Sequence, residues 1–326
     1  MRRGLLLDII ESDLCEVKAL LNGIISVLVV FVILGVGFYF TKKEKWPENT
    51  NKVFSTTVVK IAAPALAIVS IENRFTPEML RAAFWNLLAI AASLFFMYFL
   101  GKLLASLLKL SPKKRAVFET TFTFNNSMFI GLPINRIVFG AEGLPYLFTF
   151  YLVTIVMFWS LGAYTLSKAS DMAEKSFSVK KIFSPGLVGV LIGCALAELR
   201  WHLPLVLETS LTYLGELCVP LSLLVIGSNL ARSFSMGKPK ITFDQVLIMA
   251  GKFVIHPLLV WGVFSLLGVQ GLPLKVFILT ASLPCHAQTA IMAEYYDLEG
   301  QYASNLVSLS TLISLVTIPI YAGVLL

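Results

Sequence analysis

Charge is what this sequence has least of. Asp, Glu, Lys and Arg make up 14% of its 326 residues, against roughly 25% in an ordinary soluble domain. Apolar residues make up 57% and the mean hydropathy is +0.82, so the chain reads as an all-α polytopic membrane protein. Ten spans of ~20 residues would use about 200 positions and leave short loops, with no room for a separate soluble domain. Cysteine is scarce and scattered: Cys15, Cys194, Cys218 and Cys285 form no CxxC pair, which argues against a zinc site or a disulfide scaffold. A P-loop is absent, which argues against an ATP-driven pump. HExxH, GxSxG and GxGD are absent too, and no Asp lies inside an apolar run, Asp244 falling just before one. The usual zinc, serine and aspartyl chemistries of membrane proteases are therefore not expected, and the chain does not read as an enzyme. The net charge of +7 sits mostly in short loops, where Lys and Arg report membrane orientation rather than nucleic-acid binding.

What is present is a series of apolar runs separated by charges and turn residues. They give ten spans: Ala19–Phe40, Val53–Ile71, Ala82–Leu108, Ala116–Phe139, Leu144–Leu166, Pro185–Glu198, Leu207–Ile226, Gln245–Leu267, Pro273–Tyr296 and Ala303–Leu326. Residues 1–18 read as an amphipathic lead-in rather than a signal peptide, because Asp8, Glu11, Asp13 and Glu16 interrupt any apolar core. The stretch 167–184 holds the longest polar loop, Ser167–Lys181, and separates 19–166 from 185–326. The face reached after odd-numbered spans carries about twice as many Lys and Arg as the other face. Positive-inside then places that loop in the cytoplasm and both termini outside the cytoplasmic membrane.

The stretch that organises the chain is Thr121–Ile134, TFTFNNSMFIGLPI. It lies within a run long enough to span a bilayer, yet its centre holds Asn125, Asn126 and Ser127, then Gly131-Leu132-Pro133. Such side chains bond to nearby backbone, and Pro133 removes the bond that residue 129 would accept. A broken helix is the physical reading, and freed backbone at membrane depth is tolerated only inside protein or along a watery cavity. A second break is expected at Leu283-Pro284-Cys285-His286-Ala287-Gln288-Thr289 in the ninth span. An internal repeat accompanies the pair: Lys60, Pro64 and Asn73 recur as Glu216, Pro220 and Asn229 at one common offset. Two halves of five spans follow, and because five is odd the second half enters the membrane inverted. Inverted repeats with a broken helix in each half are an architecture of secondary transporters, with substrate near the midplane.

Thr123-Phe124-Asn125-Asn126-Ser127 with Gly131-Leu132-Pro133, Pro220-Leu221-Ser222-Leu223 with Ile226-Gly227, Ser282-Leu283-Pro284 with Ala293-Glu294-Tyr295-Tyr296, and Ser308–Pro319 occur in that order. Together they resemble the auxin efflux carrier family, which includes bacterial malonate-type permeases and plant PIN proteins and has a bile-acid-symporter-like fold. The resemblance covers nearly the whole chain from residue 20 onward; Cys285-His286 departs from the small residues that relatives more often carry there. It implies two inverted five-helix repeats with broken helices 4 and 9 crossing. It further implies a scaffold of spans 1, 2, 6 and 7, a mobile transport domain of spans 3–5 and 8–10, an elevator mechanism and a homodimer in the lipid bilayer. The long regulatory loop of plant members is not expected, since this loop has only about fifteen residues.

Asn125, Asn126, Ser127 and Pro133 at one break, and Pro284, Cys285, His286 and Gln288 at the other, are the candidate substrate-binding residues. The plainer alternative for the Asn-Asn-Ser run is a cap on the half-helix that begins near Met128; for His286 it is a satisfied buried histidine, and for Cys285 a small packing residue. Each second half-helix starts near the midplane with its positive dipole end at the crossing, which favours an anion. A small carboxylate is the natural substrate. Lys60 and Glu216, four residues before their prolines, are candidates for a pair across the repeat or for substrate attraction and coupling. Lys252 and His256, spaced i, i+4 on one helical face, are candidate neighbours of the site. Glu119 and Glu294 read as solvated near the ends of their spans. No cofactor or metal is expected; the coupling ion is H+, Na+ or none, with the lack of carboxylates in spans leaning away from sodium. The leading reading is a secondary carrier for mono- or dicarboxylates, and the alternative is a channel or a non-transporting sensor of the same fold.

Overall fold

The computed structural model describes residues 29–47, 49–170, 184–235 and 241–325. The expected lead-in over 1–18, the start of the first span and most of the expected loop over 167–184 lie outside the described residues. The protein is all-helical. Six helices are long and apolar enough to cross a membrane: α2 (Thr50–Glu72), α3 (Pro77–Leu107, apolar over Phe84–Leu107), α6 (Ala141–Lys168), α8 (Leu205–Arg232), α9 (Phe243–Leu266) and α12 (Gly300–Leu325). Shorter helices are α1 (Val29–Lys42), α4 (Pro112–Thr123), α5 (Ser127–Phe139), α7 (Pro185–Leu199), α10 (Gly271–Ala281) and α11 (Ala287–Tyr295).

Local chemistry sets the ends of these helices. Pro112 and Pro185 open α4 and α7, where a missing N–H costs nothing. Ser184 Oγ caps α7 by accepting from Leu187 N at 3.3 Å, and Thr242 with Gln245 forms a capping box on α9. Inside helices, proline acts differently. Pro64, Pro133 and Pro257 each follow a wide π-type turn, at Val58–Ala62, Ser127–Gly131 and Gly251–Ile255. Each ring denies a bond to the carbonyl four residues back, and the widened turn relieves the clash. For Pro257 that carbonyl is Phe253 O, which takes a hydrogen bond from Tyr321 Oη at 2.6 Å instead.

Packing divides the helices into two chemistries. The largest core draws only on α3, α4, α6, α9, α10, α11 and α12, and phenylalanine dominates it: Phe118, Phe122, Phe124, Phe150, Phe158, Phe264 and Phe277 are all fully buried. Lipid tails are as apolar as Phe, so the gain among these rings is close packing rather than exclusion of water. Polar ties reinforce one end of this group: Lys114 Nζ lies 3.0 Å from Asp244 Oδ2, which also accepts from Tyr302 Oη. Helices α1, α2, α7 and α8 pack instead through small residues. A Cβ on Gly227 would stand 2.0 Å from Leu34 O, and one on Gly37 2.3 Å from Leu224 O, so α1 and α8 touch backbone to backbone. One expectation fails here: Glu119 is buried, not solvated, and its charge is met by Arg115 Nε, which reaches its Oε1 at 2.7 Å from one turn away. Glu294 is exposed.

Candidate functional site

Helix α4 ends at Thr123 and α10 at Ala281, and the chain runs extended through Phe124 and again through His286 before α5 and α11 begin. The two extended stretches pair with each other. Asn126 N donates to Pro284 O at 2.9 Å and His286 N donates to Phe124 O at 3.1 Å, forming one antiparallel β-bridge between Asn125 and Cys285. Backbone groups freed by the breaks are thus satisfied within the protein, as membrane depth demands. Cys285 N completes the set by donating to Ser310 Oγ at 3.1 Å.

Side chains finish the accounting at three of the four helix ends around the bridge. Asn126 Oδ1 accepts from Phe129 N at 3.2 Å and caps the start of α5. His286 Nδ1 accepts from Gln288 N at 3.2 Å and caps α11. Asn125 does the opposite task, donating Nδ2 to Thr280 O at 3.0 Å and Ala281 O at 2.9 Å, the last carbonyls of α10. Adjacent residues in extended backbone point to opposite faces, which is how neighbouring asparagines cap a helix C-terminus and a helix N-terminus.

The bridge therefore has two sides. On one side lies a cavity of about 350 Å³. Its wall includes Lys60, Asn126 and Gln288, with Phe129 and Ile130 from the first turn of α5 and Ile291 from α11. From the bridge it runs past Ser55 and Thr56 near the start of α2, Asn229 toward the end of α8 and Ser308 near the start of α12. Two helix N-termini and an exposed ammonium face this space, so it favours a small anion. Size fits as well, since ligand pockets begin at about 300 Å³.

On the other side the polar groups are sealed in. Lys252 and His256 are both fully buried. Lys252 Nζ donates to Phe124 O at 2.7 Å and to Asn125 Oδ1, and His256 Nδ1 lies 3.3 Å from Asn125 Nδ2. His286 stacks on Phe158, ring centroids 4.4 Å apart.

Of the candidates read from the sequence, Lys60, Asn126 and Gln288 share the cavity wall. Asn125, Ser127, Pro133, Pro284 and Cys285 are buried beside or behind it, with Asn125 committed to protein partners. Glu216 stands apart: it is exposed, its charge acts on Arg136, and no ion pair joins it to Lys60 among the described residues. The repeat that links Lys60 to Glu216 is one of sequence, and a shared sequence pattern does not bring two positions together. Residues the sequence reading passed over include Ser55, Thr56 and Thr311 on the wall, and Thr289 at the start of α11, a buried hydroxyl without a protein partner. Only Asn229, through the repeat, carried a signal.

Comparison with known proteins finds relatives named as membrane transporters. The family profile described as membrane transport protein matches residues 22–322. An "Uncharacterized transporter" of Methanothermobacter thermautotrophicus is 32% identical over 201 residues, 61% of this chain and 65% of that relative, so the match spans just under two thirds of it. A second "Uncharacterized transporter", from Methanocaldococcus jannaschii, is 23% identical over 92% of this chain and 98% of its own length. A "Putative malonate transporter" of Rhizobium meliloti is 22% identical over 90% of this chain and 92% of its own.

Proposed function

This chain belongs to the membrane transport protein family, the auxin efflux carriers, and from that premise we propose that it is a secondary carrier of small organic anions. Mono- or dicarboxylates are its substrates, bound where the two broken helices cross. The observation that carries this is the cavity whose wall combines Lys60, Asn126 and Gln288 with the N-terminal turns of α5 and α11. Each helix end presents about half a positive charge, and a carboxylate is the small metabolite group that matches it. The name of the Rhizobium relative supports a dicarboxylate such as malonate as the first substrate to try.

In this reading the chain forms ten spans as two inverted five-helix repeats, 19–166 and 185–326, separated by a cytoplasmic loop over 167–184. Spans 4 and 9 are the broken pairs α4–α5 and α10–α11. The glycine-packed α1, α2, α7 and α8 are the scaffold, and the phenylalanine-packed remainder is the transport domain that slides against it, elevator-fashion. The phenylalanine core, to which none of α1, α2, α7 and α8 contributes, supports such a division. With both termini outside, the cavity's far end lies toward the cytoplasm, and the state is inward-facing. The family resemblance adds a homodimer in the cytoplasmic membrane. Coupling is to a proton or to no ion.

The test is counterflow in proteoliposomes. Vesicles preloaded with unlabelled malonate or succinate should accumulate the labelled acid transiently, with saturation and without an ion gradient. Flux that rises linearly with concentration and shows no counterflow would establish a channel instead.

A further inference from the structure

Among the described residues Lys252 is the one cation on the sealed side of the crossing, and nothing in the carrier reading uses it. Its ammonium is fully buried and is held by two oxygens, Phe124 O at 2.7 Å and Asn125 Oδ1. Asn125 in turn holds the Thr280 and Ala281 carbonyls. The first half-helices α4 and α10 therefore both end at this point. Each helix C-terminus carries about half a negative charge, so the two together present about one unit. No carboxylate faces Lys252 among the described residues; the titratable groups around it are His256, Cys285 and His286. The nearest acid on α4, Glu119, is paired to Arg115 one turn from its own position. One ammonium thus balances two helix C-termini.

Unwound carbonyls and half-helix C-termini at the midplane are the groups that coordinate a sodium ion in carriers built this way. We propose that Lys252 is a tethered cation filling such a position, so that the crossing is held together by a side chain and takes up no metal ion there. The wide turn Gly251–Ile255 displaces Lys252 from regular helical register and directs it at the bridge. Lys252 is a positioning residue: it touches the carbonyl at the α4 terminus and the asparagine that orders the bridge, and the substrate cavity lies on the far side. The proposal deepens the carrier reading, yet its main test needs no substrate.

Melting temperature is measured in detergent at constant ionic strength, with choline, sodium or ethylammonium as the cation. The wild-type protein should melt at one temperature in sodium and choline. Lys252→Met, which keeps the stem and removes the charge, should melt about 5–10 °C lower in choline, with several degrees restored by sodium. Lys252→Ala should be restored by ethylammonium, which replaces both stem and charge. A structural lysine that merely fills space would be matched by Met and would show no dependence on the cation. Lys252→Met as stable as wild type in choline, or variants indifferent to the cation, would overturn the proposal. Should neither variant fold, the wild-type comparison still decides: stabilisation by sodium over choline overturns it. Loss of counterflow with these melting results intact would instead count against the carrier reading alone.

Discussion

The two sides of the helix crossing use the same kinds of residue for opposite ends. On the cavity side, a lysine, an asparagine and a glutamine stand around space (Lys60, Asn126 and Gln288). On the sealed side, a lysine, an asparagine and a histidine stand around each other (Lys252, Asn125 and His256). Composition does not separate the two sets; satisfaction does. Both side-chain polar atoms of Asn125 are engaged by protein, whereas Asn126, on the cavity wall, uses its side-chain oxygen as a cap. A site that must bind and release a ligand needs groups whose partners are incomplete without it. A site that must hold two half-helices together keeps its groups paired, because an unpaired buried polar group costs about 1–3 kcal/mol; of the three residues on the sealed side, only His256 keeps a ring nitrogen, Nε2, without a protein partner.

The largest expected effect is on the sealed side. Asn125→Ala deprives a buried ammonium and two terminal carbonyls of their partner at once. Hydrogen bonds to charged groups contribute about 1.5–3 kcal/mol, and the stranded carbonyls add to that. A loss of about 3 kcal/mol or more is expected, read as a fall of roughly 6–12 °C in melting temperature. A melting temperature within a degree of wild type would erase the distinction between the two asparagines.

How much of this could be read from the residues alone also divides along the same line. The position of each break was legible, because Asn125-Asn126-Ser127 competes for backbone groups locally and Pro284 interrupts helical hydrogen bonding; Pro133, read as part of the first break, lies inside α5 behind its wide turn. The i, i+4 spacing of Lys252 and His256 likewise put them on one face, and that face meets the bridge. Which asparagine faces the cavity was not legible. It depends on one residue of register in an extended stretch, and the register is fixed by the bridge to Cys285, a partner far away in the chain. Burial of Glu119 was missed for a related reason: a charge near a span end looks solvated until a neighbouring helix covers it. That Lys60 and Glu216 do not pair was not legible either, since a repeated sequence pattern relates positions without bringing them together.

The second effect falls on the cavity side and on affinity rather than stability. Asn126→Ala removes a group that reaches the ligand and exposes the α5 terminus, so binding of malonate should weaken about ten- to a hundredfold, corresponding to ~1.5–3 kcal/mol. Asn126→Asp keeps the cap and sets a negative charge beside an anion, and should bind no better than Asn126→Ala. Asn126→Asp should melt near wild type and Asn126→Ala a few degrees lower for the lost cap, both above Asn125→Ala. Calorimetric affinities unchanged in both variants would remove the crossing as the binding site; tighter binding in Asn126→Asp would point to a cationic ligand.

The smallest effect is expected at Lys60, and it bears on what gives the cavity its preference for anions. Lys60 is exposed on the cavity wall, where an ion pair contributes about 0.2–1 kcal/mol, or up to about fivefold in affinity. In the proposed carrier the two helix ends would lie against the ligand, while the lysine, exposed on the wall, would act through water that salt can screen. Raising monovalent salt from 0.1 to 1 M shortens the screening length from about 10 Å to about 3 Å. Added salt also competes directly at the helix ends, but it does so equally in a variant, so the comparison between proteins isolates the lysine. Lys60→Gln should bind malonate up to about fivefold less tightly at 0.1 M choline chloride and match wild type at 1 M. Lys60→Glu should be weaker than Lys60→Gln at the lower salt and converge with it at the higher. Parallel curves for wild type and Lys60→Gln would show that the helix ends alone select the anion. A variant that binds more tightly than wild type at low salt would mean that the wall repels its ligand, and the anion reading would fall with it.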